Sequence, residues 1–386
     1  MTESAALHQR LLDDLAASGK LTPPWREAFG VLPRHQFIPD TIWEGSGGVL
    51  VPLRRADDPD RWLDAAYALD AVITQVDDGH PTGPGDRGRY ITSSASQPDV
   101  VALMLAALDA QPGMRVLEIG TATGYNAALL AYQLGTQNVT SVEIDPILAE
   151  HARSALAAAG YPVTVITGDG ARGYPQRAPY DRIIATAAVH QVPYLWVAQT
   201  RPGGKILTPW GTPYHNGALA SLTVNADGSA DGRIVGNVAF MELREQRFRA
   251  SIDDEECDET TARQSRTSVA PYSVAGDYDA SLAIGMKVSN CAPIYVSADH
   301  YPDHYARLWF VDPITDSWAN LIHQPNTPTY PVHQSGPRNL WDEIETAYHW
   351  WLDAGRPGPY RWRITITPEG QQVTLTDTSA AAGAAP

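Results

Sequence analysis

Cysteine, long apolar runs and positive charge are all scarce in this chain, and each shortage removes a class of function. Cys257 and Cys291 are the only cysteines among 386 residues. Two thiols make neither a disulfide framework nor a cysteine-ligated zinc site, so a reducing interior is expected and both are read as structural. No apolar stretch approaches the roughly 20 residues that span a bilayer. The opening MTESAALHQRLLDDLAASGK carries acids and reads as an amphipathic helix rather than a secretory signal. A cytoplasmic address without a membrane partner is the expectation. Lys and Arg number 28 against 44 Asp and Glu, a net charge of −16, so a nucleic-acid backbone would be repelled. No P-loop lysine is present, which disfavours an NTPase.

What remains is an ordinary globular composition, 44% apolar and 19% charged, long enough for two sizeable cores. Residues 1–90 open with Leu11, Leu12 and Leu15 at helical spacing and end loop-rich, in DDGHPTGPGDRG at 77–88. A loop of that length inside a compact unit is usually functional or disordered. Residues 91–235 alternate strand-like runs (115–120, 139–145, 163–168, 182–188, 205–210) with helical segments (98–110, 124–134, 147–159, 192–201). That alternation predicts an α/β fold with a mostly parallel, doubly wound sheet. Residues 236–378 read as a smaller C-terminal α+β module, heralded by the strand-like run GRIVGNVAFMEL. It has further strand-like pieces at 281–288, 293–297 and 306–311, an aromatic helix at 340–355 and a closing hairpin around PEG. The tail, 379–386, reads as disordered.

The chemistry-bearing residues fall at the carboxyl ends of the predicted strands. Val116–Tyr125 is a strand-to-helix turn carrying Glu118, Gly120, Thr121, Thr123, Gly124 and Tyr125, where backbone approaches a ligand and free amides favour an anionic group. Twenty-three residues beyond Gly120 stand Glu143 and Ile144 in SVEID, an acid placed for ribose hydroxyls. Asp169 and Gly170 end the third strand, where the carboxylate can accept from an adenine amino group. A strand, a turn and one acid also suit packing or generic nucleotide binding. Ala122 in place of a middle glycine departs from the dinucleotide fingerprint, and the combination fits a nucleoside with a short anionic arm better than a pyrophosphate. Thr186, at the end of IIATAA, is placed to line the same pocket.

These motifs resemble the protein-L-isoaspartate O-methyltransferase family. The resemblance covers roughly residues 25–225: VLPRHQFIP (31–39), TSSASQP (92–98), VLEIGTATGY, SVEID, GDG and IIATAA, in the family's order. It implies a Rossmann-like class I methyltransferase using S-adenosyl-L-methionine and releasing S-adenosyl-L-homocysteine. Glu118, Gly120, Glu143, Asp169 and Gly170 match its cofactor positions. Ser94 and Ser96 match a Thr and a Ser beside cofactor and acceptor, which implies active-site hydroxyls; by themselves they equally suit a helix cap before Pro98.

Two departures bear on the acceptor. The family's short loop before the serine run is replaced by VITQVDDGHPTGPGDRGRY, and some 150 residues follow where the family usually ends. The full length resembles a subgroup associated with ATP-grasp (graspetide) peptide maturation. The partner so implied is a ribosomally made precursor peptide already crosslinked by an ATP-grasp ligase, one aspartate of which is esterified on the way to aspartimide. Repair of isoaspartyl proteins is one alternative, and a catalytically silent cofactor-binding partner of a maturation complex is another. The basic run Arg244–Arg249 against the acidic Asp253–Glu259 reads as a solvated connector, or else as a docking surface for a charged peptide. The stretch Asp299–His304 looks like a metal cluster, but Pro302 spoils a clean histidine face, so no metal is expected. Trp341, Tyr348, Trp350 and Trp351 are read as core rather than a peptide-binding face.

Overall fold

In the computed structural model, which describes residues 2–46, 49–81, 83–253 and 257–376, the N-terminal helix forms as α1 (Glu3–Ala17). Thr2 caps it by accepting from Ala5 N at 3.4 Å, and Leu11 and Leu15 are buried. After α2 (Pro23–Val31) come β1 (Thr41–Ser46), β2 (Val49–Arg54), α3 (Pro59–Tyr67), β3 (Val72–Val76) and β4 (Ile91–Ala95). The strands make an antiparallel layer in the order β2-β1-β3-β4, with Val72 opposite Ala95 and Ile73 opposite Ser94. The boundary expected at 90/91 therefore falls inside one sheet, because the serine run is the last strand of the N-terminal layer. The glycine- and proline-rich loop between β3 and β4 is pinned by a pair of bonds between Leu50 and Gly88, 2.9 and 2.8 Å.

The central region alternates as expected: α4 (Pro98–Leu108), β5 (Val116–Ile119), α5 (Tyr125–Leu134), β6 (Val139–Glu143), α6 (Pro146–Ala158), β7 (Thr164–Thr167), β8 (Tyr180–Ala185), α7 (Tyr194–Ala198) and β9 (Thr200–Gly211). The 192–201 helix shrinks to α7, since β9 already starts at Thr200. Proline at the first helical position starts α4 and α6, and Asp145 caps α6 by accepting from Ile147 N and Leu148 N at 2.9 and 3.2 Å. Strands β9-β8-β5-β6-β7 pair in parallel, and helices on both faces bury every residue of β5. On the other side β10 (Asn216–Val224) and β11 (Ala230–Asn237) pair antiparallel, so the sheet is mixed.

The C-terminal α+β module is present, but the closing hairpin lies outside it. Within it β12 (Arg263–Thr267), β13 (Ala292–Val296), β14 (Ala306–Asp312), β15 (Ser317–His323) and β16 (Tyr330–Ser335) form a separate antiparallel sheet, covered by α8 (Pro271–Ala275), α9 (Tyr278–Gly285) and α10 (Leu340–Asp353). The strand expected at 281–288 is α9; Asp277 caps it by accepting from Ala280 N at 3.0 Å, and its short apolar run is buried all round. The closing hairpin, β17 (Trp362–Thr367) and β18 (Gly370–Leu375), returns to pair with β11 and completes the nine-stranded order β18-β17-β11-β10-β9-β8-β5-β6-β7. Helix α10 joins the two units: Trp341 packs into the five-stranded sheet and Trp351 against β17 in the main core, as the core reading of these aromatics requires. The expected disordered tail at 379–386 lies outside the described residues.

Candidate active site

β4 carries the serine run to the mouth of a cleft of about 1160 Å³, counted out to solvent, at the carboxyl ends of the parallel strands. Ser94 and Ser96 both line it half-buried, and no protein partner takes either hydroxyl among the described residues. Their backbone is held from behind by Arg34. This fully buried guanidinium donates to the carbonyls of Ala66, Ala68, Asp70, Ala95 and Ser96 at 3.0–3.2 Å. Burial depresses its pKa to about 10, against the pull of Tyr125 and Asp70. Arg34 lies inside the VLPRHQFIP motif, but sequence alone gave no role for it, because all five acceptors are carbonyls from distant segments.

On the other wall, Gly120 sits at φ 92°, where a Cβ would stand 2.7 Å from Thr186 Oγ1. That hydroxyl donates to the carbonyls of Gly120 and Ile119 at 2.5 and 3.1 Å, fixing the turn to the end of β8. Thr121, Thr123, Tyr125, Ile144, Asp169 and Gly170 also line the cleft. Glu143 does so with one carboxylate oxygen accepting from Ala122 N at 2.8 Å and the other from Asp145 N at 3.0 Å. Burial pushes its pKa up, partly offset by those amides. Asp169 caps the turn at Gly170 by accepting from Ala171 N at 2.9 Å.

Two of the sequence-assigned residues stand behind the lining. Glu118 is fully buried; it accepts from Asn126 Nδ2 at 2.7 Å and from Ser141 Oγ, whose oxygen lies 2.5 Å from Thr121 Oγ1. Burial raises its pKa to about 7 despite these donors. Gly124 faces α6, where a Cβ would meet Leu156 at 3.2 Å. Both shape the turn from beneath.

The outer side of the cleft is built from the replaced loop and from the segment carrying the basic run that the sequence offered as a connector or a docking surface. The strand expected through residue 243 stops at Asn237, and Phe240–Arg244 leave the sheet to line the cleft. Two bonds between this segment and Ala188, 2.8 and 2.9 Å, run it along the end of β8. Arg244 and Arg247 then meet Asp78 from the replaced loop: Arg247 Nη1 lies 2.8 Å from both its oxygens, Arg244 Nη2 3.2 Å and Arg249 Nη2 3.7 Å away. Buried Gln75 ties the layers together, donating to Asp145 at 3.1 Å and accepting from Thr92 Oγ1 at 3.0 Å. A second cleft continues outward from Thr92, Met241, Glu242 and Arg247, residues common to both. In the suspected metal stretch, Asp303 is engaged by Arg307 at 2.9 and 3.1 Å, and no group of three candidate ligands forms among the described residues.

The inner cleft fits a nucleoside with an amino-acid arm. Its floor at Gly120 excludes a side chain, Glu143 retains lone pairs beyond its two amide bonds, and Asp169 lines the same cleft. The family model for protein-L-isoaspartate(D-aspartate) O-methyltransferase matches residues 86–247. The protein-L-isoaspartate O-methyltransferase of Methanopyrus kandleri is 35% identical over 239 residues, covering 61% of this chain and 90% of that protein. That of Hyperthermus butylicus is 42% identical over 158 residues, covering 38% of this chain and 65% of the relative. A solved protein-L-isoaspartate O-methyltransferase shares the fold at a TM-score of 0.54 and 19% identity, over 96% of this chain and 100% of its own. The chain belongs to the protein-L-isoaspartate O-methyltransferase family, and its cofactor is S-adenosyl-L-methionine.

Proposed function

We propose that this carboxyl methyltransferase esterifies an aspartate side chain in a ribosomally made peptide already crosslinked by an ATP-grasp ligase, in the cytoplasm. The observation that carries the reading is the acceptor side: the lengthened β3–β4 loop and the 240–251 segment together build an outer cleft continuous with the cofactor cleft. A carboxylate with an ordinary pKa near 3.9 is ionised at neutral pH and needs no strong base, so the chain's work is alignment and exclusion of water. Ser94 and Ser96 hold the acceptor oxygen by donating to it. S-adenosyl-L-methionine, when bound, supplies an electrophilic methyl on a sulfonium. Once the ester exists, the following backbone nitrogen attacks its carbonyl carbon, loses its proton and expels methanol, leaving a five-membered imide. A crosslinked peptide holds that nitrogen close to the ester.

Repair of isoaspartyl proteins is the second reading, favoured by the names of the relatives and the 90% coverage of the Methanopyrus protein. Mass spectrometry after incubation with cofactor and either acceptor separates the two. A methyl gain on the crosslinked precursor followed by methanol loss, leaving it one water lighter, supports biosynthesis. Methylation of the isoaspartyl peptide alone makes repair the activity.

A further inference from the structure

We propose that Asp78 is a built-in stand-in for an acidic side chain of the acceptor peptide: it occupies the Arg244–Arg247–Arg249 cluster in the substrate-free chain, and a glutamate or aspartate flanking the methylated residue displaces it. The inference rests on the acceptor being a peptide. Three guanidinium groups converge on this one carboxylate, so even with Asp145 counted against Arg244 the cluster keeps one positive charge in excess at the junction of the two clefts, in a chain of net charge −16. Arg244 is not satisfied by it: its Nε is buried with no hydrogen-bond partner, and beyond Asp78 its Nη2 reaches only Asp145, at 3.4 Å. The other acids of the outer cleft are committed to scaffolding. Asp77 accepts from Arg89 N and Tyr90 N at 3.0 and 2.8 Å, and Glu242 from His190 Nε2 and Phe248 N, both at 2.8 Å. Of the three acids lining the outer cleft, Asp78 is the one spent on arginine side chains, and it does so from a left-handed backbone at φ 53° on the β3–β4 loop. The same cleft presents Tyr90 and Ile91 exposed, apolar surface for a peptide whose acid is held by the arginines. An acidic peptide approaching an acidic protein is repelled nearly everywhere else, so the cluster also selects where it docks.

The test reads binding of two fluorescein-labelled peptides to the full chain loaded with S-adenosyl-L-homocysteine. One has glutamates beside its aspartate and the other glutamines. Asn tolerates the left-handed conformation, so Asp78→Asn removes the charge without straining the loop. The glutamate peptide is expected to bind Asp78→Asn about tenfold more tightly than the unaltered chain, the glutamine peptide unchanged within about twofold. Arg247→Gln should weaken the glutamate peptide selectively, and in the double variant the gain from Asp78→Asn should vanish. Equal binding of the two peptides, binding of neither, or no gain in Asp78→Asn overturns the proposal. Methyl transfer to the same peptides is scored separately. Transfer without charge preference sinks the stand-in but leaves the esterification; charge-selective binding without transfer does the reverse.

Discussion

Glu118 is the acid of the VLEIG motif, yet its replacement by glutamine should make the protein more stable at neutral pH. The carboxyl is fully buried on β5 with two donors, Asn126 and Ser141, and no cation, so burial raises its pKa from 4.5 to about 7. Between those values the folded chain holds a proton that the unfolded chain has released. Stability therefore falls as pH rises through the window, by about 1.4 kcal/mol per unit, or about 3 kcal/mol in all. Glu143, also raised, adds to the same trend, whereas Asp145 and Asp181, lowered from 3.8, change stability only at pH below that window. Only the difference between variant and unaltered chain isolates Glu118. Glutamine keeps an acceptor for Asn126, and its amide can donate to Ser141 if the Ser141–Thr121 bond reverses. Urea unfolding of cofactor-free protein should give near-equal stabilities at pH 5 and an advantage for Glu118→Gln approaching about 3 kcal/mol at pH 8. A difference that stays constant from pH 5 to pH 8 would refute the reasoning, and would mean that Glu118 is ionised in the fold with its charge met by its donors.

Arg34→Met keeps the bulk of the side chain but strips the carbonyls of Ala66 and Ala95, the two acceptor pairs that are fully buried, and should cost about 2–6 kcal/mol by denaturant unfolding. A loss under about 0.5 kcal/mol would show that water replaces the guanidinium. Gly120→Ala forces a Cβ to 2.7 Å from Thr186 Oγ1 at a positive φ, so isothermal titration should show at least about a hundredfold loss of S-adenosyl-L-homocysteine affinity with the fold intact by circular dichroism. Asp169→Ala should raise the KM for cofactor about tenfold, whereas Ser96→Ala should lower kcat more than it raises that KM. His215 is mostly buried, its pKa depressed to about 4 by desolvation, with Nδ1 2.8 Å from Ser281 Oγ. Folding keeps it neutral, so its contribution is lost as pH falls from about 6.5 toward 4, and His215→Gln should flatten acid unfolding there.

The parallel half of the sheet was legible because each βα unit carries its own punctuation: an apolar run, a turn with glycine, then a capped or proline-started helix, as in Asp145-Pro146. Most of the residues assigned to the cofactor line one cleft there, since the loops of such a sheet converge at its strand ends. What misled was local ambiguity and distant pairing. The run SLAIGMKV gives no period that separates a buried helix from a buried strand, and only Asp277 ahead of it marks the helix start. Nothing local in GRIVGNVAFMEL marks where β11 ends, because the segment beyond Asn237 is held by Ala188, far away in sequence. The closing hairpin was read correctly as a hairpin, but its attachment to β11, which splits the expected C-terminal module, is a long-range pairing that alternation cannot encode.

That attachment bears on the acceptor cleft. The chain leaves the main sheet after β11, builds the five-stranded sheet and α10, and returns as β17 beside the strand it left. The 238–361 segment is thus an insertion tied at both ends to one sheet edge. The arginine-bearing stretch at its start is anchored on one side by β11 and on the other by the insertion's own core. Asp78, 169 residues from Arg247 in sequence, is held between β3 and β4 of a different sheet, with its amide bonded to Thr92 at 3.0 Å. Among the described residues, every ion pair between these two walls uses the carboxylate of Asp78. A wall that must open for a peptide needs a contact that is reversible and matched in charge by the incoming ligand. An ion pair meets both conditions, whereas an apolar seam would give the peptide nothing to replace. The basic run, read from sequence as a solvated connector or else as a docking surface for a charged peptide, sets all three of its arginines on that contact.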